Sequence, residues 1–268
     1  MHTLITDDWL PITDYQKMEL QTKHALAAQL LAMADDEILL AHRDSEWTGH
    51  APILEEDIAL ANLAQDELGH ASVWYGLLHE LTGEDANQLV FFRDPTAYYN
   101  IQMVELPNGD WAFTLMRQYL FDVAEMLRLT ALTESNYQPL ANAAAKVRRE
   151  ELYHVRHSSA WVRRLGLGTD ESHRRTQKAL TTLWPFALQM FVPLPEEPAL
   201  VASHILPDAD QLKQQWLDVV LPFLHQAGLQ VPDTLEPIAT SRQQHSKYLA
   251  PLLQEMQEVA RQDPGAEW

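Results

Sequence analysis

The chain has 268 residues, enough for one large domain or two small ones with a substantial core. Lys and Arg total 19 and Asp and Glu total 38, so the formal net charge is −19, which disfavours nucleic acid and anionic lipid as partners. The absence of Cys excludes disulfides and thiolate metal sites.

The sequence lacks the marks of secretion and of membrane insertion. Its first residues, MHTLITDDWLPITDY, have no basic region followed by an apolar one, and the nearly apolar stretch from Ala25 to Ala34 is too short to cross a bilayer. We therefore expect a cytoplasmic protein.

Two long helices are predicted first, and the composition favours helix because Gly and runs of β-branched residues are scarce. They extend from about Asp14 to Asp44 and from about Ile53 to Thr82, separated by the turn WTGHAP. After a stop near Gly83, a small helix is expected near Pro95 to Val104.

Two more long helices are predicted from about Trp111 to Glu134 and from about Pro139 to Leu165. A helix from about Glu171 to Met190 follows, then the Pro-rich stretch VPLPEEPALVASHILP, interpreted as an ordered loop or a partner-facing arm. The last two helices are expected from about Asp208 to Leu224 and from Pro237 to Gln262.

Four helices of about 24 residues or more, in two pairs, predict an all-α four-helix bundle with additional C-terminal helices. No domain boundary stands out. We expect a single domain over residues 1–268, with the bundle at about 14–165 and a helical extension at about 169–268.

A Glu-x-x-His motif interrupts the apolar stripe of two long helices. The second helix places Glu67 and His70 on its inward face, within DELGH, and the fourth places Glu151 and His154 there, within EELYH. One such motif is a weak signal, but two motifs separated by 84 residues on apolar stripes indicate a degenerate internal repeat.

The other two long helices each point one acid inward. Glu37 lies 30 residues before the first motif's Glu, and Asp122 lies 29 residues before the second's. Glu125, one turn further, competes with Asp122, but its face carries Gln118 and Arg128 and is expected to be less buried. Asp122 is preferred, with Glu125 as an alternative ligand or a supporting group.

Four clustered buried carboxylates need neutralisation, and two divalent cations would supply four positive charges. Oxygen and imidazole ligands without sulfur suit two Fe ions, or Mn, and the arrangement is that of ferritin-like di-metal carboxylate proteins. A buried polar network without metal is the alternative. The predicted metal ligands are Glu37, Glu67, His70, Asp122, Glu151 and His154.

Several stretches resemble a known family, the C subunit of bacterial ring-1,2-phenylacetyl-CoA epoxidase. They include EWTGHAPILEEDIALANLAQDELGH, VELPNGDWAFTLMRQYLFD, RREELYHVRHSSAWVRRLGLGTDES and the ending LAPLLQEMQEVARQDPGAEW, so the resemblance covers nearly the whole chain. It implies a ferritin-like fold in a multicomponent monooxygenase of aerobic phenylacetate catabolism, which delivers one oxygen atom of O2 to an aromatic double bond.

The resemblance also implies partners. These are the related catalytic A subunit, the other epoxidase subunits, a reductase as electron donor and a CoA thioester substrate; a homodimer is a further expectation. C subunits of this family are described as scaffolds lacking a complete ligand set, whereas all six ligand positions are filled here, which favours metal binding by this chain.

Two other functions are consistent with the same residues. One is a non-catalytic structural subunit without metal, and the other is a ferritin-like ferroxidase or iron-binding protein. The paired arginines at Arg148, Arg163 and Arg174, each followed by a second Arg, are expected to form surface ion pairs. No catalytic residue beyond the metal ligands, and no site for an organic cofactor, is predicted.

Overall fold

The computed structural model describes residues 19–266, and all regular secondary structure in this range is helical. This confirms the all-α prediction. The α-helices are α1 Leu20–Ser45, α2 Leu54–Thr82, α3 Ala86–Phe91, α4 Gln102–Glu105, α5 Trp111–Leu132, α6 Gln138–Gly166, α7 Asp170–Leu188, α8 Glu197–Ala202, α9 Ala209–Gln226 and α10 Leu249–Gln262.

The helix ends follow local chemistry. The side chain of Asp110 accepts a hydrogen bond from the backbone N–H of Phe113 and begins α5, and Thr169 does the same for α7 through Ser172. Gly83 ends α2 with φ of 80°, a conformation that glycine adopts without steric cost.

The four long helices α1, α2, α5 and α6 form the bundle. Trp47, just beyond the end of α1, donates a hydrogen bond to Thr114 at the start of α5, so these two helices run antiparallel. α2 and α6 also run antiparallel, since His154 meets Asp66 and His70 meets Glu150. The order is therefore up, down, down, up, which brings both His motifs to one pair of neighbouring helices.

The C-terminal helices pack against α5 and share its core. Trp184 of α7 and Trp216 of α9 stack with ring centroids 5.1 Å apart, and the indole N–H of Trp216 donates to the carbonyl of Leu120 on α5. The expected arm contains α8, whose Leu200 is buried beside α1, so this stretch is an internal part of the fold.

Two predicted helices are shorter than expected because their backbone groups bond elsewhere. The segment near Pro95 forms a 3-10 turn, Pro95–Ala97, and the separate α4, since the N–H groups of Tyr99 and Ile101 donate to Asp35 and Asp36 of α1.

The last helix was expected from Pro237 but begins at Leu249. The N–H of Ile238 donates to the carbonyl of Pro185, and that of Ser246 donates to Glu105. Helix α3 was not predicted, and the expected start of the first helix at Asp14 lies outside the described residues.

The end of α6 approaches α9 so closely that only glycine fits. A methyl group at Gly166 would overlap the carbonyl oxygen of Ala227. We expect Gly166→Ala to lower the free energy of unfolding by about 1–3 kcal/mol, the usual cost of overpacking, as measured by urea denaturation. Gly76→Ala is the control: no atom lies within 4 Å of its added methyl group, so it should stabilise α2 by about 0.5–1 kcal/mol. Equal effects of the two changes would contradict this account.

Candidate metal centre

The six predicted ligands meet at the centre of the bundle, one or two from each long helix. Each of them is at most 1 % exposed. The Glu67 carboxylate lies between the imidazoles: its Oε2 is 3.4 Å from Nδ1 of His70, and its Oε1 is 3.4 Å from Nδ1 of His154. The two rings are 5.6 Å apart. The internal repeat therefore produces two facing halves of one site.

Two groups of ligand atoms, each spanning less than 4.8 Å, share this carboxylate. Glu37, Glu67 and His70 form the first group, and Glu67, Asp122 and His154 form the second. Glu151 adjoins the second group, because its Oε2 is 3.2 Å from Nδ1 of His154. The geometry thus offers two neighbouring cation positions with Glu67 between them.

The electrostatics of the centre reflect crowded buried anions. Burial and the adjacent Glu67 raise the pKa of Glu37 well above its ordinary value, and burial raises the pKa of Glu151 to about 7. Burial acts to lower the pKa of His70, but the carboxylates of Glu37 and Glu67 outweigh it and raise this pKa to about 11. Without metal ions, protons supply the positive charge, so binding of metal must displace them.

The residues fit a metal pair because they leave ligand atoms free. Both carboxylate oxygens of Glu37 and of Glu151, Oε2 of Glu67, and Nδ1 of both imidazoles are buried and lack a hydrogen-bond partner. Buried polar atoms without partners are costly and rare in folded proteins. Oxygen and imidazole nitrogen together are a suitable ligand set for Fe or Mn.

Asp122 is held more firmly than the other carboxylates. Its Oδ1 accepts a hydrogen bond of 2.8 Å from the amide of Gln118, and its Oδ2 accepts one of 2.7 Å from the hydroxyl of Ser158. A carboxylate oxygen has a second lone pair, so these bonds orient Asp122 without excluding coordination. Neither Gln118 nor Ser158 was given this supporting role by the sequence.

Glu125 is as buried as the other acids, contrary to the sequence expectation, since it is only 2 % exposed. Its Oε2 instead accepts a hydrogen bond of 2.7 Å from Arg128, one turn along α5. Glu125 belongs to neither of the two groups of ligand atoms. The ion pair with Arg128, rather than exposure, distinguishes it from Asp122.

Three consecutive buried acids of α1 have separate partners. Asp35 forms an ion pair with Arg93, and Asp36 bonds to Arg242 at 2.7 Å. Only Glu37 points into the centre without a counter-ion from Arg or Lys, which leaves its carboxylate for the metal. Burial of three acids in sequence therefore reflects two structural ion pairs and one candidate ligand.

Two acids that sequence reasoning missed orient the imidazoles. Nε2 of His70 lies 3.1 Å from Glu150, and Nε2 of His154 lies 3.2 Å from Asp66. In each case the N–H donates to a carboxylate on the opposite helix and leaves Nδ1 facing the centre. The signal was present in the motifs, since Asp66 and Glu150 directly precede the Glu of each one.

We expect Asp66→Asn to weaken metal binding about 10- to 100-fold, the usual effect of losing a carboxylate that orients a ligating imidazole. An anaerobic competition titration of Fe(II) or Mn(II) against a chelator measures this loss. Glu80→Gln, an exposed change on the same helix, is the control. Unchanged affinity in Asp66→Asn would show that His154 does not depend on this bond.

No helix within residues 19–266 has the length and hydropathy needed to span a bilayer.

Comparison with known proteins gives the family. The model of the phenylacetic acid catabolic protein family matches residues 1–268. The chain is 38 % identical over 245 residues to the C subunit of 1,2-phenylacetyl-CoA epoxidase from Escherichia coli (strain K12), covering 91 % of this chain and 99 % of the relative. It is 28 % identical over 233 residues to the A subunit of the same enzyme, covering 84 % of this chain and 72 % of the relative. The chain therefore belongs to the phenylacetic acid catabolic protein family and is homologous to both of these epoxidase subunits.

Proposed function

We propose that this chain is the C-type subunit of a phenylacetyl-CoA epoxidase in phenylacetate catabolism, and that it holds two metal ions of its own. The similarity to the C subunit of the Escherichia coli enzyme, along nearly the whole length of both chains, supports the first part. The observation that carries the second is the set of buried, unpartnered ligand atoms on Glu37, Glu67, His70, Glu151 and His154. Iron is the proposed metal, with manganese as the alternative.

Each ligand has a role that follows from its position. Glu67 would bridge the two ions, His70 and Glu37 would hold one, and His154 with Asp122 and Glu151 would hold the other. Bound iron would supply the redox chemistry of O2 activation. The chain itself fixes the imidazoles through Asp66 and Glu150 and keeps bulk water from the centre by burial.

The proposed partners are the related A subunit, further epoxidase subunits, and a reductase that supplies electrons. The CoA thioester substrate would be met by the assembled complex, and the cytoplasm is the proposed location.

A metal-free structural role is the second candidate. It is favoured by the pKa pattern, because protons on Glu37 and on the two imidazoles already neutralise much of the buried charge. In that case the repeated motifs would serve as a polar network in the bundle core.

Co-purification with metal counting tests both candidates. The chain is expressed with its A-type partner from the same organism, reconstituted anaerobically with Fe(II), and then separated from it for metal analysis. We expect a stable pair and two metal ions on this chain. A stable pair with no metal on this chain would leave the structural candidate, and absence of a pair would contradict the assignment to the epoxidase complex.

A further inference from the structure

The outer face of α2 is unusual for so acidic a protein. Every exposed position between Ile58 and Gly76, about 27 Å of helix, is uncharged. Ile58 and Leu68 on this face are 54 % and 44 % exposed. A helix that is apolar on its inner face and uncharged on its outer face is typical of one covered on both sides.

Two glycines on this face leave room for another backbone. No atom of the chain lies within 4 Å of a methyl group built at Gly69 or Gly76, and Ser72 lies between them. Small residues allow close helix approach, but such a stripe alone does not identify a binding surface. The neighbouring helix supplies the second observation.

The outer face of α6 is basic with an apolar centre. Its exposed cations are Lys146, Arg148, Arg149, Arg156, Arg163 and Arg164, six of the 19 in the chain. None of them forms an ion pair with an acid among residues 19–266. Leu152 and Tyr153 lie among them, 45 % and 50 % exposed.

The expectation of surface ion pairs is therefore wrong for the α6 arginines. Arg148 donates to Thr130, while Arg163 and Arg164 lie over the rings of Phe223 and Trp161. It is confirmed for Arg174 and Arg175 of α7, which pair with Glu171. Unpaired cations concentrated on one helix indicate an acidic counterpart outside the chain.

The two helix faces form one continuous surface, because Asp66 and Glu150 reach between α2 and α6. We propose that this α2–α6 face is the docking surface for the A-type subunit, which would present carboxylates opposite Arg149 and Arg156. The inference rests on the proposed function, which names that partner. A second copy of this chain fits poorly, since a two-fold contact would place the α6 cations against each other. A small anion also fits poorly, since an exposed helix face offers no enclosing walls.

Docking here would also affect the metal centre. The side chains of Asp66 and Glu150, which bond to the two imidazoles, are 38 % and 48 % exposed on this surface. A partner covering them would remove water from these bonds and strengthen them. Formation of the pair would thus hold the imidazoles more rigidly than the isolated chain does.

Charge reversal tests the docking surface. Arg149→Glu with Arg156→Glu should weaken binding to the co-expressed A-type subunit by at least about tenfold and reduce its salt dependence, measured by biolayer interferometry at two salt concentrations. Arg174→Glu with Arg175→Glu, the same charge change on α7, should leave the affinity unchanged. Circular dichroism and the melting temperature report whether each variant is folded.

A second variant separates folding from docking. Gly69→Gln adds a longer side chain on the α2 face, where nothing in the chain obstructs it, and glutamine favours helix more than glycine does. It should keep or raise the melting temperature while weakening the pair at least about tenfold.

Each outcome is decisive. Full affinity in both the Arg and Gly69 variants would overturn this surface while the pairing stands. Failure of the unmodified chain to bind the A-type subunit would overturn the proposed pairing, and this inference with it. Self-association of the unmodified chain that the Arg changes abolish would assign the face to a second copy and overturn the proposal.

Discussion

Replacing Glu67 with Gln should remove both metal ions from the protein. Glu67 is common to the two groups of ligand atoms, and its oxygens face His70 on one side and His154 on the other. A neutral amide preserves the size but offers one weak oxygen ligand, so the affinity for Fe(II) should fall on the order of 100-fold or more. Anaerobic isothermal titration calorimetry, with metal analysis after desalting, measures the loss.

Two further variants make this result specific. Glu151→Ala should abolish binding at the second position, because Glu151 is the carboxylate next to His154 that has no other partner. Glu125→Gln should only weaken binding, since Glu125 bonds to Arg128 and lies outside both groups. Equal losses in Asp122→Asn and Glu125→Gln would contradict the preference for Asp122 as the ligand.

Replacing Trp216 with Ala should destabilise the whole chain by about 3–5 kcal/mol, the typical cost of removing a large buried aromatic side chain. Trp216 is fully buried between Trp184 and Phe191 and is bonded to α5. We propose that the bundle and the C-terminal helices form one domain, so a single unfolding transition should move to lower denaturant. Far-ultraviolet circular dichroism during urea denaturation measures this.

Val219→Ala provides the matched control on the same helix. Val219 is 46 % exposed, so its truncation should change the free energy of unfolding by less than about 0.5 kcal/mol. If Trp216→Ala instead produces two transitions, with the later one at the original midpoint, the C-terminal helices unfold separately and the single-domain proposal is wrong.

The bundle and its inward residues could be predicted because they depend on periodicity within single helices. The apolar stripes of α2 and α6 place Glu67 and Glu151 inward by helix geometry alone, and the structure puts both at the centre. The equal spacing of the two halves then brings the helices level. Family membership, inferred from the motifs and loop sequences, is confirmed by the comparisons.

The remaining features depend on contacts between distant segments, which no local pattern contains. The shortened α10 results from bonds of residues 238 and 246 to α7 and α4, and these acceptors are remote in sequence. The burial of Glu125 could not be predicted either, because Arg128 neutralises it inside the core. Charged side chains that pair in the interior are misjudged by any argument that assigns charge to the surface.

The crossed support of the imidazoles has an evolutionary consequence. The acid that steadies His70 belongs to the second half of the chain, and the acid that steadies His154 belongs to the first. A hairpin carrying a single motif would have had nothing to steady its own imidazole. If duplication of such a hairpin produced this gene, the ancestor worked as a pair of identical chains, and fusion made that partnership permanent.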